Sequence, residues 1–252
     1  MRHKISAVLI TYNEAYIIEE TLQVLDFCEE IIVVDSGSKD GTVAICEKFN
    51  ARVFYKKFEG YGEQKQYAVA QAKNDWILAI DADEVVSQAL KEEIIDVFSQ
   101  ENIAEHGFYL PRALIFQGEN IYGERNDLQL RLFNKNEGNY DDAKVHEKVQ
   151  IVGKTSTLKN YLWHYSYRNL THYFEKFNYY TSLAAEELYA KGKKKPSWLL
   201  ILRFPFDFLK IYLFKGCFRN GFSGFLWAFF SALYPMVKYA KVTELYKKNT
   251  IL

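Results

Sequence analysis

Four short runs, residues 5–10, 31–34, 52–55 and 76–80, are rich in Ile and Val and apolar almost without interruption. A strand with one wet face alternates polar and apolar residues; an unbroken apolar run is buried on both faces, as in a parallel sheet covered by helices. Between the runs lie residues 14–27, 42–49 and 64–72, with apolar positions at helical spacing, Ile17, Ile18, Leu22 and Leu25 in the first. Strand, helix and strand in repetition predict right-handed crossovers and a parallel α/β sheet. Ligands of such sheets bind beyond the carboxyl ends of the strands, so the residues after each run are the ones to read for chemistry.

Those residues are polar and acidic: Thr11-Tyr12-Asn13-Glu14, then Asp35-Ser36-Gly37-Ser38-Lys39-Asp40-Gly41-Thr42, then Asp81-Ala82-Asp83-Glu84. Neither the glycine fingerprint of dinucleotide-binding folds nor a P-loop occurs. A nucleotide would therefore be held by carboxylates and backbone groups, with a divalent metal neutralising its diphosphate. Asp81 and Asp83 supply hard oxygen ligands for Mg2+ or Mn2+. By themselves two such aspartates read more readily as a helix cap or a solvated turn; their place at the end of run 76–80 in a parallel sheet favours the metal. Asp35 is suited to a base or ribose, and Ser36 and Gly37 to close backbone approach, while the same segment also reads as a turn with Asp40 or Thr42 capping a helix. Lys65 is either a diphosphate ligand or a solvated helix position. His146 is a candidate to complete the metal shell and Glu147 a candidate general base, although a lone His-Glu pair more often simply decorates the surface. Asp127, Gln129 and Arg131 alternate on one strand face, as a structural ion pair or as a clamp on acceptor and diphosphate.

The remainder is less regular. Residues 107–110 and 129–133 read as strands and residues 169–189 as an amphipathic helix, after which a basic run at 191–195 ends at Pro196, a hinge. In residues 198–214, Arg203, Asp207 and Lys210 fall on one helical stripe, so an interfacial helix is expected. Residues 220–237 carry no charge but include Gly221, Ser223, Gly224 and Pro235, and fall short of the roughly twenty apolar residues of a membrane span. The chain's formal charge is zero, which argues against a nucleic-acid partner. Residues 191–252, however, hold twelve basic residues, two acidic ones and fifteen aromatics. A basic, aromatic tail suits an anionic membrane surface; the plainer alternative is that both apolar segments pack on the globular body. Three cysteines without zinc-type spacing point to a reducing compartment, and the apolar stretch at residues 5–10 is too short for a signal peptide, so a cytoplasmic active site is expected. We expect a catalytic domain over residues 1–190, nucleotide-binding in 1–100 and acceptor-binding in 101–165, followed by a membrane-associating tail over 191–252.

The motifs Ile-Thr-Tyr-Asn-Glu (10–14), Val-Val-Asp-Ser-Gly-Ser-Lys-Asp-Gly-Thr (33–42), Gly-Glu-Gln-Lys-Gln-Tyr-Ala (62–68), Trp-Ile-Leu-Ala-Ile-Asp-Ala-Asp-Glu (76–84), Gln-Leu-Arg-Leu-Phe (129–133) and Val-His-Glu (145–147) together resemble glycosyltransferase family 2. More narrowly they resemble the branch that adds glucose-type sugars to the lipopolysaccharide inner core, and the likeness extends through Leu162-Trp163-His164-Tyr165 into the apolar tail. The resemblance implies a GT-A fold, Rossmann-like with a mostly parallel sheet and flanking helices, and inverting transfer from a UDP-sugar with a divalent cation. By position, Thr11, Asn13, Glu14, Asp35, Ser36, Lys65, Asp81, Ala82 and Arg131 would bind the nucleotide, and Asp81, Asp83 and His146 the metal. Glu147 would be the base, with Asp127 as second choice. The Q-x-x-R-W motif of processive enzymes is missing, because Gln129 is followed by Leu130-Arg131-Leu132-Phe133, so a single addition is expected. The implied acceptor is a lipid-linked oligosaccharide at the cytoplasmic face of the inner membrane, the protein being peripheral or monotopic. Transfer to a polyprenyl phosphate and a catalytically silent nucleotide-sugar-binding subunit are the rival readings.

Overall fold

A computed structural model of the chain describes residues 1–125, 127–141 and 147–248. The chain forms two compact units, one of Met1–Ala113 with Asn126–Tyr165, the other of Leu114–Arg125 with Ser166–Leu252.

In the first unit, β1 (Ile5–Thr11), α1 (Ile18–Gln23), β2 (Glu30–Asp35), α2 (Thr42–Lys48), β3 (Arg52–Tyr55), α3 (Tyr61–Ala70) and β4 (Trp76–Asp81) alternate as the apolar runs predict. The strands stand in the order β3, β2, β1, β4, all parallel. Both faces are buried: Leu9, Val33 and Leu78 join one apolar cluster, while their neighbours Val8, Ile32 and Ile77 join the other. Register then decides where the chemistry goes. Thr11 pairs with Asp35 and Ile10 with Asp81, so these strands deliver their polar ends to one edge. The expected helix over 14–27 is shorter, because Ile17 and Ile18 both donate to the Glu14 carbonyl in a turn and Leu25 and Cys28 close further turns.

Beyond β4 the sheet turns antiparallel. After β5 (Glu84–Val86) comes α4 (Gln88–Ser99), whose first turn is capped by Ser87 Oγ accepting from Leu90 N at 3.1 Å. Then follow β6 (Gly107–Phe116), β7 (Glu119–Asn120), β8 (Asp127–Asn134), β9 (Gly138–Tyr140), β10 (Val149–Ile151), β11 (Thr155–Thr157) and β12 (Leu162–His164). From β4 outward the order is β8, β6, β12, β5, with β8 antiparallel to both β4 and β6. The β5–β12 pairing sets His164 opposite Glu84, and β9 pairs with β10 just beyond Glu147.

The second unit is built on three helices, α5 (Leu170–Ala190), α6 (Ser197–Leu209) and α7 (Gly221–Lys248). A π-helical turn, Lys210–Phe214, extends α6, and a 3-10 turn, Cys217–Asn220, precedes α7. Aromatic pairs join them: Tyr173 to Phe230 at 5.3 Å, Phe204 to Phe229 at 5.4 Å and Phe208 to Phe225 at 5.5 Å between ring centroids. A boundary at residue 190 was expected, yet α5 belongs with the helices that follow it, since its buried face packs on α7 and Lys241 Nζ bonds Thr181 Oγ1 at 2.9 Å. Among the described residues no helix is long and apolar enough to cross a membrane.

Candidate active site

The site begins at the carboxyl edge of the parallel strands. Asp35, nearly buried, turns back on its own loop: Oδ2 accepts from Gly37 N at 2.7 Å and Ser38 N at 2.9 Å, and Oδ1 from Ser38 Oγ. Gly37 has φ +100, which only glycine adopts easily. Ser38 Oγ also accepts from Asn13 N at 2.8 Å, and Asn13 Oδ1 accepts from Lys39 N at 2.8 Å. Glu14 N donates to Thr42 Oγ1 at 2.9 Å, and Ser36 Oγ accepts from the buried Gln64 at 3.0 Å. The loops after β1 and β2 are thus tied into one wall. The segment is also a turn, with Asp40 accepting from Thr42 N at 3.2 Å, but the N-cap of α2 is Gly41, which has no capping side chain, rather than Asp40 or Thr42. Thr11 Oγ1, lining the wall's base, is buried and has no partner among the described residues.

At the end of β4 an alternating chain of charges crosses the site. Glu147 Oε1 meets Lys65 Nζ at 2.6 Å, and Lys65 meets Asp81 Oδ1 at 2.7 Å. Asp81 Oδ2 takes Arg131 Nη2 at 2.5 Å, and Arg131 meets Glu84 Oε1 at 2.7 Å. Glu84 also accepts from Arg112 Nη1 at 3.0 Å, and Arg112 Nε reaches Asp127 Oδ2 at 2.8 Å. Burial alone would raise the Asp81 carboxyl, but Arg131 and Lys65 outweigh it and hold the group well below the usual carboxylate range. Burial likewise opposes charge on Lys65, and Asp81 reverses that, raising it above an ordinary lysine. Glu84 Oε2 accepts from Asp81 N at 3.0 Å and closes the turn, while Ala82 offers its carbonyl to Thr21 Oγ1 at 2.8 Å.

Asp83 points to a different partner. Its Oδ2 lies 3.4 Å from His164 Nε2, and Tyr165 N donates to the Asp83 carbonyl at 2.9 Å. Two ligands of one octahedral ion, each about 2.1 Å from it, stand roughly 3 Å apart, so this carboxylate and imidazole fit a shared Mg2+ or Mn2+. No cluster of three or more such ligands occurs among the described residues. Asp81, expected to join Asp83 on the metal, instead has both oxygens committed to Lys65 and Arg131. His146 lies outside the described residues, and the imidazole brought to Asp83 is His164.

The two candidate bases sit at opposite ends of the charge chain. Glu147 is mostly buried beside Lys65. Asp127 is half-exposed and held by Arg112 and by Gln129 Nε2 at 2.7 Å. Burial raises its carboxyl, but the guanidinium and amide prevail and keep it below its ordinary value.

Residues 6–154 match the model of glycosyl transferase family 2. The chain belongs to that family. An uncharacterized glycosyltransferase of Rickettsia felis is 34% identical to this family 2 chain over 98% of it and 93% of the relative. The lipopolysaccharide core biosynthesis glycosyltransferase LpsC of Rhizobium meliloti is 31% identical, covering 95% of this chain and 92% of LpsC. Among solved structures, glucosyl-3-phosphoglycerate synthase from Mycobacterium tuberculosis, in complex with Mn2+ and uridine diphosphate, is 25% identical over 45% of this chain and 44% of its own, with a TM-score of 0.36.

Three members of this candidate site were not singled out from sequence. His164 stood in the motif Leu162-Trp163-His164-Tyr165, which carries no metal-ligand spacing to Asp83; only the β5–β12 pairing joins them. Glu84 ended the aspartate motif without a role, and nothing local marks Arg112 in Pro111-Arg112-Ala113.

Proposed function

We propose that this family 2 transferase moves a glucose-type sugar from a UDP-sugar to a hydroxyl of a lipid-linked oligosaccharide of the lipopolysaccharide core, with inversion and with a divalent cation, at the cytoplasmic face of the inner membrane. One observation carries the cation and the diphosphate. The chain from Glu147 to Asp127 alternates four carboxylates with three cations, and Asp83 beside it brings the formal sum to −2. A diphosphate cannot enter a site of like sign without a compensating cation. The likeness to LpsC, named for lipopolysaccharide core biosynthesis, supports the acceptor class.

Each residue then has a task. Asp83 and His164 would hold the cation, which supplies Lewis-acid stabilisation of the leaving diphosphate. Lys65 and Arg131, both fixed on Asp81, offer their remaining N–H groups to diphosphate oxygens without having to be ordered on binding. Asp35, Asn13 and Ser38 fix the wall against which the nucleoside lies, and Thr11 Oγ1 is left to bond it. Glu147 takes the proton of the acceptor hydroxyl as it attacks the anomeric carbon opposite the departing diphosphate. Incubating the full chain and Mn2+ with a panel of nucleotide sugars, with and without a chelator, tests the reading. Sugar transfer to delipidated core oligosaccharide that stops with chelator is expected. Transfer to a polyprenyl phosphate alone, or no turnover of any donor, would replace it with one of the rival readings.

A further inference from the structure

The second unit leaves an apolar face uncovered. Along α6, Leu200, Phe204 and Phe208 recur every four residues and turn inward, Phe204 and Phe208 onto α7. Trp198, Leu202, Phe206 and Leu209 recur at steps of four, four and three on the opposite stripe and are exposed, Trp198 by 63% and Phe206 by 75%. Exposed Leu213 and Phe214 continue it into the π-helical turn. So much contiguous apolar side chain at the surface of a helix marks an interaction face.

Just before Trp198 the basic run folds against the end of α7 and encloses a cavity of about 420 Å3, lined by Lys194, Lys195, Tyr239, Val242, Thr243, Tyr246 and Lys247. Its floor is apolar, Val242 and Tyr239 being buried. Lys194 Nζ sits 3.6 Å from the Tyr246 ring centroid and Lys195 Nζ 5.2 Å from that of Tyr239. Among the described residues no carboxylate pairs with Lys194, Lys195 or Lys247, and the Glu187 carboxylate on α5 is taken by Lys191. Ammonium groups over an aromatic floor match a phosphodiester whose apolar part continues away from it.

We infer that this cavity binds the phosphate of an anionic phospholipid while the Trp198–Leu202–Phe206 stripe enters the acyl boundary, so that the protein lies on the bilayer without crossing it. Charge complementarity chooses the occupant: a protein partner would need an acidic face beside an apolar one, whereas an anionic bilayer offers phosphate and hydrocarbon together. The inference rests on the membrane location proposed above and extends it to named residues.

The test is co-sedimentation of the full chain with vesicles of phosphatidylcholine, alone or mixed with phosphatidylglycerol. Tighter binding to the mixed vesicles is expected. Replacing Lys194, Lys195 and Lys247 together by Ala should remove that preference, weakening binding to mixed vesicles roughly a hundredfold at about one kcal/mol per lysine. Trp198→Ser with Phe206→Ser should abolish binding to both kinds. Neither variant should alter turnover on a delipidated acceptor, so a chain that transfers sugar yet ignores vesicles sinks the docking and spares the transferase. An unchanged preference in the lysine variant overturns the cavity's role. Calorimetric binding of inorganic phosphate to the lipid-free chain, lost in the lysine variant and competing with vesicles, would make the ligand a free phosphate and overturn the lipid assignment.

Discussion

Glu84 Oε1 accepts from Arg131 Nη2 at 2.7 Å, with the Glu84 side chain fully shielded from solvent and that of Arg131 nearly so. A carboxylate this deep is tolerated only because Arg131, Arg112 and the Asp81 amide all donate to it. It in turn fixes the guanidinium that grips Asp81, so the charge chain of the candidate site is anchored from below.

Removing that anchor leaves buried cations short of a partner. Glu84→Ala should cost about 3–5 kcal/mol in urea unfolding. Glu84→Gln, which keeps an acceptor for Asp81 N, should cost less. A loss below about 1 kcal/mol for the alanine variant would show that water, rather than this carboxylate, compensates the guanidiniums.

At the other end of the sheet Glu30 forms a latch: Oε1 accepts from Ser6 Oγ at 2.8 Å and Lys73 N at 2.6 Å, and Oε2 meets Arg52 at 2.7 Å. Burial raises its carboxyl, but these donors prevail and lower it. A carboxyl depressed on folding contributes stability above its unfolded value, near pH 4.3, and that contribution is lost as pH falls below it. Unfolding measured from pH 7 down to pH 3 should therefore show a drop in stability that is shallower in Glu30→Gln. Parallel curves for the two proteins would remove Glu30 from the acid limb.

How far the residues announced this architecture depends on where the contacts lie. The run at 76–80 became β4 almost residue for residue, because burial on both faces writes itself into consecutive positions, whereas the run at 52–55 became β3, an edge strand that is only half-buried and exposes Tyr55. Lys65, Asp81 and Arg131 were named as candidates and do converge. His164 and Arg112 were not, since their partners Asp83 and Glu84 lie far from them in sequence, and antiparallel pairing beyond β4 leaves no local period to read. The boundary at residue 190 misled for a related reason: a basic, exposed run looks like a linker even where α5 before it packs on α7 beyond it.

Cation binding should separate the two aspartates of the β4 turn. Asp83→Ala and His164→Ala should each abolish Mn2+-dependent uptake of UDP in titration calorimetry while the far-ultraviolet dichroism is unchanged. Lys65→Met should weaken UDP with or without metal, because its ammonium acts on the diphosphate directly. Equal metal-assisted uptake in all three variants would contradict the assignment of Asp83 and His164.

The base is tested by a pair of isosteric changes. Glu147→Gln should lower kcat by about 10²- to 10⁴-fold, the range for a lost general base. Asp127→Asn should lower it less than about tenfold, because Asp127 stands at the far end of the charge chain from Lys65, the proposed diphosphate ligand, whereas Glu147 lies directly against it. The reverse ranking in kcat, with donor affinity preserved, would move the base to Asp127.

Gly224 gives a test of the second unit through the sign of a substitution. Within a helix, Gly→Ala ordinarily stabilises by about 1 kcal/mol. In α7 a Cβ at Gly224 would lie 1.9 Å from the Cys217 carbonyl oxygen, a backbone atom that cannot swing aside as a side chain would. The 3-10 turn of Cys217–Asn220 rests directly on this bare backbone, and the apolar cluster around Cys217, Phe116 and Tyr173 is built beside it. Gly224→Ala should therefore destabilise by about 1–3 kcal/mol, as overpacking does, and lower the unfolding temperature. An increase in that temperature would mean that Cys217 and α7 do not approach one another as closely as the packing of this unit requires.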